Sequence, residues 1–454
     1  MQKRQVGFVC FGEINTPFDK LKTMHKAAIT QIRKLNPGAI DAGIVLDDPK
    51  YKTAEAAIEI LKPQDMDCLI VFVAGWIPTH AVIRVTDVFR NLPMILWGGR
   101  GEIDPKSGRI VTTAPQAGTT AIRPAFEDMG YKFKYVYSVL NEKEPLDKIQ
   151  SYIDAAVAVK RLRKARVGTM GYRDMLLYGT QFEGSSIRSQ IGIEVETFEM
   201  LEMIQNIEIL EPGEIESVIK HVKEKWHFEG SCEEDVIKSG VEYALGIGKK
   251  IKERGFDAVT LIDVDGMKKL LGFPPAMVFM LLDSMYGVET IPENDVMGSV
   301  TQLILRFITG KTAAYMEYYE FFKNSMLIGV PDYIPEEITD GEIKVQATSF
   351  GLLSASLLNV SKVKTGVVTC ARLIYRKGKY LMHLYTAEAK EPPGWEEFGW
   401  EEPVPQLPSL EVFPTSCSVE DFAQNVSSQH VIISHGDCSE AIRDLCSILD
   451  VEVI

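Results

Sequence analysis

The chain has 454 residues, of which 46% are apolar and 25% charged, and a formal net charge of −14. This length predicts about three domains, and this composition is that of a folded globular protein. The acidic balance argues against a nucleic-acid partner, because phosphate binding requires a basic face. The longest apolar stretch, Cys68 to Ile77, is too short to span a membrane.

The cysteines favour a reducing compartment. There are seven of them, an odd number, and none forms a Cys-x-x-Cys pair. Disulfides are therefore not expected. The first residues enter a strand-like run and lack the pattern of a signal peptide. We expect a cytoplasmic protein.

Residues 1–165 alternate short β-rich runs with amphipathic helical patterns, which predicts a parallel sheet wrapped by helices. The predicted strands are Val6 to Phe11, Ala39 to Leu46, Cys68 to Val73 and Met94 to Trp97. Residues 166–340 repeat this pattern, with strands at Val167 to Met170, Val195 to Phe198 and Ala258 to Ile262.

Residues 341–454 change to β-rich alternation, which is typical of a barrel or sandwich. The clearest predicted strands are Gly366 to Tyr375 and Lys379 to Thr386, joined by a short turn. The predicted fold is therefore α/β, with two doubly wound parallel-sheet domains (1–165 and 166–340) followed by a β-rich, barrel-like domain (341–454).

Two glutamates follow predicted strands in the central domain. Glu293 comes after the apolar run Val288 to Ile291, and Asp295 is placed to cap the next helix. Thr312 to Met316 reads as another strand, with Glu317 at its end. Because ligands bind at the carboxyl ends of parallel strands, both glutamates could face one cleft and hold a metal ion. The alternative is that they are solvated or salt-bridged.

These residues carry a resemblance to a known family. The run Glu293 to Gly298, a helix ending in Thr309-Gly310, and an acid 24 positions after the first glutamate are similar to L-fucose isomerase. Met316 to Tyr318 is closer to L-arabinose isomerase. Near the C-terminus, Gln429-His430 before an apolar strand resembles the Asn-His element of the same family.

The resemblance implies an aldose-ketose isomerase that works through an enediol. Glu293 and Glu317 would be catalytic, and together with His430 they would bind Mn²⁺, with Mg²⁺ or Co²⁺ as alternatives. Such an ion polarises the sugar oxygens while carboxylates move a proton between adjacent carbons. The resemblance also implies a homo-oligomer, a hexamer in the relatives.

Further candidates would bind substrate. Trp76 resembles the sugar-stacking tryptophan of L-fucose isomerase, although core packing is its alternative, as it is for Trp395 and Trp400. Asp263 and Asp265 end a predicted strand, and His435 ends the strand that His430 begins; solvated or structural roles are their alternatives. A sulfonated or phosphorylated sugar, for example sulfoquinovose, would require arginines, for which the candidates are Arg173, Arg188 and Arg306.

The chain departs from the family in one place. No histidine occurs between His227 and His383, so the additional metal histidine of L-arabinose isomerase is missing. Where the relatives carry a histidine element after an apolar strand, this chain has Val330-Pro331-Asp332. The substitution leaves three alternatives: a three-ligand site of the fucose type, a different sugar, or a weakened metal site. The rival function is a sugar-binding or regulatory relative that kept the fold but lost turnover.

Overall fold

The structure is a computed structural model that describes residues 4–330, 333–348, 356–395 and 408–454. The predictions that concern Pro331, Asp332 and Trp400 fall outside these ranges. The chain divides into two compact units, one of residues 1–160 with 440–450 and one of residues 161–439 with 451–454. The further division of the second unit into two domains stays a prediction.

The first unit is built on a parallel sheet between two layers of helices. Its strands are Val6–Phe11 (β1), Ile40–Val45 (β2), Cys68–Val73 (β3), Met94–Gly98 (β4), Glu102–Ile103 (β5), Ile110–Val111 (β6) and Phe133–Tyr137 (β7). Its helices are Phe18–Leu35 (α1), Lys52–Leu61 (α2), Thr79–Thr86 (α3), Pro115–Asp128 (α4) and Leu146–Leu162 (α5), the last of which runs into the second unit.

The five-stranded sheet has the order β2-β1-β3-β4-β7, and all its pairings are parallel. Strands β1 and β3 are buried along their whole length, as expected of strands covered on both faces. The four predicted strands are confirmed as β1 to β4. Neither α4 nor β7 was predicted, because Gly118 and Pro124 interrupt the helical pattern and β7 is mostly half-buried.

The second unit opens with another parallel sheet. Its strands are Arg166–Met170 (β8), Glu194–Phe198 (β9), Ala258–Leu261 (β11) and Glu289–Ile291 (β12). Strand His227–Glu229 (β10) belongs to a small neighbouring sheet. The parallel sheet has the order β12-β11-β8-β9. The helices are Gly184–Ser186 (α6), Met200–Ile207 (α7), Pro212–Lys225 (α8), Glu234–Arg254 (α9), Ala276–Tyr286 (α10) and Val296–Thr309 (α11).

The remaining strands are mostly antiparallel. They are Ala314–Phe321 (β13), Met326–Gly329 (β14), Lys344–Gln346 (β15), Leu358–Asn359 (β16), Gly366–Arg376 (β17), Lys379–Lys390 (β18), Pro408–Pro414 (β19), His430–His435 (β20) and Glu452–Val453 (β21). Six of them follow the order β17-β20-β13-β14-β19-β18 and close into a barrel because β17 also pairs with β18. The predicted α/β fold with a barrel-like C-terminal part is confirmed. The smaller sheet has the order β10-β15-β16.

Helix α11 brings the parallel sheet and the barrel of the second unit together. It follows β12 and packs against β17 and β20 of the barrel. Its first ten residues, Val296 to Leu305, are all buried, so the helix is part of a shared core. The turn between β12 and α11 therefore lies beside the start of β20.

Two helices complete the fold, Val419–Asn425 (α12) and Ser439–Leu449 (α13). Residues 440–450 belong to the first unit. There the carboxylate of Asp444 accepts hydrogen bonds from Lys134 Nζ and Ser151 Oγ, each at 2.7 Å. In the described ranges, no helix has the length and apolarity that crossing a membrane requires.

Candidate metal centre

Glu293 is presented by a strained turn. Glu293 and Asn294 have φ values of 64° and 50°, which non-glycine residues rarely adopt. The Asn294 side chain is buried and donates hydrogen bonds to Thr169 Oγ1 and to the Met170 carbonyl, both at 2.9 Å. The Glu293 amide donates to Asp263 Oδ1 at 2.5 Å. These contacts with β8 and the end of β11 fix the turn in place.

Glu317 and His430 are held by the barrel. They are register partners on the antiparallel strands β13 and β20. The prediction that Glu317 ends a strand of the parallel sheet was wrong, because β13 begins at Ala314, continues to Phe321 and belongs to the barrel. Gln429 Nε2 donates a hydrogen bond to Glu317 Oε1 at 3.2 Å.

The three side chains converge on one point. His430 Nε2 lies 3.0 Å from Glu293 Oε2 and 3.5 Å from Glu317 Oε1. One potential ligand atom from each residue lies within 4.8 Å of the other two, and within the described ranges no second group of at least three such residues does so. His430 and Glu293 are buried, and Glu317 is half-buried.

The donor set fits a divalent cation. Nε2 of His430 is buried and close to two carboxylates, yet it forms no hydrogen bond of acceptable geometry. Burial by itself lowers the pKa of His430, but the carboxylates of Asp295, Glu293 and Glu317 raise it to about 10. Two carboxylates and one imidazole suit ions such as Mn²⁺, which would replace the proton on this nitrogen.

Two charged residues lie behind His430, in contacts that the sequence did not predict. Asp295 Oδ2 lies 3.0 Å from His430 Nδ1, and Arg372 on β17 contacts both oxygens of the same carboxylate, at 2.5 and 2.9 Å. Burial raises the pKa of Asp295, but Arg372 and His430 together hold it well below its usual range. A lone arginine in the apolar run of β17 was the available sign of a buried ion pair.

Tyr315 also belongs to the site. Its hydroxyl donates a hydrogen bond to Glu293 Oε2 at 3.3 Å, and its ring centre lies 4.6 Å from that of His430. The tyrosine is buried on β13, two residues before Glu317. It therefore restrains both the carboxylate of Glu293 and the plane of the imidazole.

The other acidic candidates and Arg173 have structural partners. Asp263 holds the Glu293 amide, as described above. Asp265 pairs with Lys269 Nζ at 2.6 Å and accepts a hydrogen bond from the Met175 amide at 2.8 Å. Arg173 donates to the Leu177 carbonyl at 2.9 Å and lies over the ring of Tyr178, in the loop after β8.

His435 and Trp76 do not join the three converging residues. His435 lies at the other end of β20 from His430, with its Nε2 2.7 Å from the Lys364 carbonyl oxygen. Trp76 belongs to the first unit, and the residue is 40% exposed. Their proposed contacts with substrate stay predictions.

The other two arginines considered for a charged sugar have acidic partners. Arg188 pairs with Glu194 at 3.5 Å, and Arg306 pairs with Glu289 at 3.0 Å.

Comparisons with known proteins give a distant likeness to a sugar isomerase. Over 263 residues the chain is 18% identical to sulfoquinovose isomerase from Priestia aryabhattai and to that from Priestia megaterium. The match covers 57% of this chain and 57% of each relative. No family model matches the chain.

A search of solved structures gives a periplasmic solute-binding protein of an ABC transporter from Actinobacillus succinogenes with bound D-allose. The two chains are 14% identical, and the alignment covers 68% of this chain and 92% of the other. The TM-score of 0.19 is too low to establish a shared fold.

Proposed function

We propose that this protein is a metal-dependent aldose-ketose isomerase that acts on a sugar through an enediol. The observation that carries the proposal is the convergence of the Glu293 and Glu317 carboxylates on Nε2 of His430. The distant likeness to sulfoquinovose isomerase supports the same reaction class.

The residues that would hold the ion are Glu293, Glu317 and His430, and Mn²⁺ is the ion proposed, with Mg²⁺ and Co²⁺ as alternatives. When bound, such an ion supplies a Lewis acid for the carbonyl oxygen and the neighbouring hydroxyl oxygen of the sugar. The side chain of Glu317 is half-buried, and a sugar would approach the ion from this side.

The two glutamates would also move the protons. One carboxylate removes the proton from C2 of the aldose while O1 gains a proton, which gives the neutral enediol. Loss of the O2 proton and delivery of a proton to C1 then give the ketose. No electron leaves the sugar, so no redox cofactor is needed. The Tyr315 hydroxyl, which donates to Glu293, would keep that carboxylate oriented.

The substrate class has three candidates. The name of the relatives points to a sulfonated sugar, and a phosphorylated sugar and a neutral aldose are the alternatives. A sulfonate would require a cationic partner, and Arg173 is the candidate. It lies in the loop after β8, and this loop also contains Gly179, whose carbonyl accepts a hydrogen bond from Arg372 at 3.1 Å. Arg372 in turn pairs with Asp295, which contacts His430. The missing family histidine keeps a sugar-binding protein without turnover as the competing function.

The compartment and the assembly are part of the same proposal. All seven cysteines are free, which suits a reducing cytoplasm. A homo-oligomer follows from the family resemblance only. Gel filtration with light scattering would measure it directly.

The test is conversion of aldose to ketose across neutral, phosphorylated and sulfonated sugars, with and without added Mn²⁺. Glu293→Gln should abolish conversion, because it removes one ligand charge and one proton acceptor. Glu320→Gln is the matched control, since this exposed glutamate lies on the same strand as Glu317 but outside the site. Metal binding without turnover on any sugar would favour the competing sugar-binding function.

A further inference from the structure

Three buried charged side chains form a chain of contacts that leads away from the proposed metal. Asp295 Oδ2 accepts the hydrogen bond from His430 Nδ1 at 3.0 Å. Arg372 donates to both carboxylate oxygens of Asp295, in the bidentate arrangement that makes such pairs strong. Asp295 is 0% and Arg372 2% exposed, so water does not compete for these contacts.

Stability alone does not account for this chain of charges. Removing charged groups from water costs so much that apolar replacements of a buried ion pair are often equally stable or better. The Nε atom of Arg372 is moreover buried with no hydrogen-bond partner, which adds to the cost. A second role that such pairs have in some proteins is to enforce one arrangement of the groups around them.

Here the Asp295–Arg372 pair would enforce the orientation of the His430 imidazole. With a carboxylate facing Nδ1, this nitrogen must carry the proton, so Nε2 is the nitrogen left to bind a cation. Nε2 is also the atom that points to Glu293 and Glu317. The assignment of the proton follows from the partners of the two nitrogens.

Asp295 and Arg372 are themselves fixed by separate elements. The Oδ1 atom of Asp295 caps α11 by accepting a hydrogen bond from the Gly298 amide at 2.9 Å. Arg372 lies on β17 and donates to the Gly179 carbonyl at 3.1 Å. The orientation of His430 is therefore tied to a helix start, a barrel strand and the loop after β8.

We propose that Asp295 and Arg372 are positioning residues that hold the His430 ring with Nε2 directed at Glu293 and Glu317. This inference rests on the proposed function, because it assigns the pair a role in metal binding. Neither residue contacts the point where the three ligand atoms meet. Their effect on catalysis would be indirect, through the affinity and the geometry of the ion.

The test measures Mn²⁺ affinity by titration calorimetry and the absorption spectrum of the Co²⁺-loaded protein. Asp295→Asn keeps the size of the side chain but removes the charge that holds the proton on Nδ1. We expect Mn²⁺ affinity to fall 10-fold to 100-fold, the usual effect of losing a residue behind a metal ligand. The Co²⁺ spectrum should shift because the ring is no longer held in one orientation.

Arg372→Lys is the second variant, in case Asp295→Asn does not fold. Lysine keeps the positive charge but cannot donate two parallel hydrogen bonds. We expect a smaller loss of affinity than for Asp295→Asn. Arg306→Lys is the matched control. Arg306 lies in the last turn of α11, at the opposite end from Asp295. It pairs with the buried Glu289 and contacts none of the three ligands. It should leave affinity and spectrum unchanged.

Two results would overturn the inference in different ways. Unchanged Mn²⁺ affinity and an unchanged Co²⁺ spectrum in folded Asp295→Asn or Arg372→Lys would reject the positioning role and leave the proposed function intact. Absence of Mn²⁺ and Co²⁺ binding by the unaltered protein would reject both. Equal losses in Arg306→Lys and Arg372→Lys would show a general effect of replacing an ion-paired arginine, which also rejects the inference.

Discussion

Glu317 and His430 face each other across adjacent antiparallel strands, as register partners on β13 and β20. Residues directly opposite in such a pair have Cβ atoms roughly 4.5 to 5.5 Å apart, so the two side chains meet through the sheet alone. Glu293 reaches the same point from a turn in which two successive residues have positive φ. Two proposed ligands are thus fixed by the barrel and the third by a strained turn.

This arrangement predicts that Glu317 can be changed without disturbing the fold. We expect Glu317→Gln to abolish the rise in melting temperature that Mn²⁺ produces, because the substitution removes a ligand charge. A ligand present at 100 times its dissociation constant stabilises the folded state by about 2.7 kcal/mol. Thermal unfolding with and without Mn²⁺ measures the difference. The metal-free melting temperature should stay nearly unchanged, since Glu317 is half-buried in a regular strand.

Glu320→Gln again provides the control, because Glu320 is an exposed residue of the same strand. Its variant should keep the full Mn²⁺ response. A Glu317→Gln protein that still gains the same stabilisation from Mn²⁺ would remove this residue from the proposed ligand set.

The strained turn makes a prediction about Asn294. Both Asn294→Ala and Asn294→Gly lose the buried hydrogen bonds to Thr169 and Met170. Only alanine also bears the cost of a left-handed backbone, about 1 to 2 kcal/mol. We expect Asn294→Gly to be the more stable of the two variants, although alanine is usually preferred over glycine in ordered structure.

Urea unfolding of both variants measures this order. Each should be less stable than the unaltered protein, by about 1 to 3 kcal/mol for the lost hydrogen bonds alone. An alanine variant as stable as the glycine variant would mean that the turn relaxes to a negative φ, and the position of Glu293 would then not depend on strain.

Much of the fold could be predicted because many elements are long apolar or amphipathic runs with clear ends. Strands β1 and β3 have the bounds expected from the sequence. The failures have local causes. Pro124 interrupts the sequence pattern of α4, although the helix itself is continuous, and β13 continues past Glu317 through residues that pair with β14.

The proposed metal ligands could be found from motif resemblance, but their surroundings could not. Asp295 was expected to cap α11, and its Oδ1 does accept the Gly298 amide. Its contact with His430 and Arg372 depends on how the barrel packs against α11, which no local pattern encodes. Trp76 belongs to the first unit and the three proposed ligands to the second, so the geometry of the ligands does not test its role.

Trp76 offers a prediction that separates sugar contact from packing. Its backbone is held by hydrogen bonds from the Glu13 amide and to the Thr113 carbonyl, at 2.9 and 2.7 Å, which no side-chain substitution removes. If the exposed ring stacks on a sugar, Trp76→Ala should raise KM about 10-fold with little effect on kcat, and Trp76→Phe should raise it less. Steady-state kinetics measures both, and an unaltered KM in Trp76→Ala would assign the ring to packing.

Glu289 predicts how stability depends on pH. Burial raises the pKa of Glu289 to about 8 from an ordinary value of 4.5, and the nearby Arg306 offsets this only in part. The folded state therefore holds a proton that the unfolded state releases between these two values. The contribution of Glu289 to stability is greatest below about pH 4.5 and is lost as the pH rises through about 8, by at most about 5 kcal/mol.

We expect Glu289→Gln, which is neutral at every pH, to flatten this loss. The melting temperature of the unaltered protein should fall between pH 5.5 and pH 8.5, and that of Glu289→Gln should fall less. The melting temperature of Glu289→Gln should still depend somewhat on pH, because burial also raises the pKa of Asp283, to about 7. The exposed Glu320→Gln should behave as the unaltered protein. Equal falls for Glu289→Gln and the unaltered protein would show that Glu289 is ionised throughout this range, held so by Arg306 at 3.0 Å.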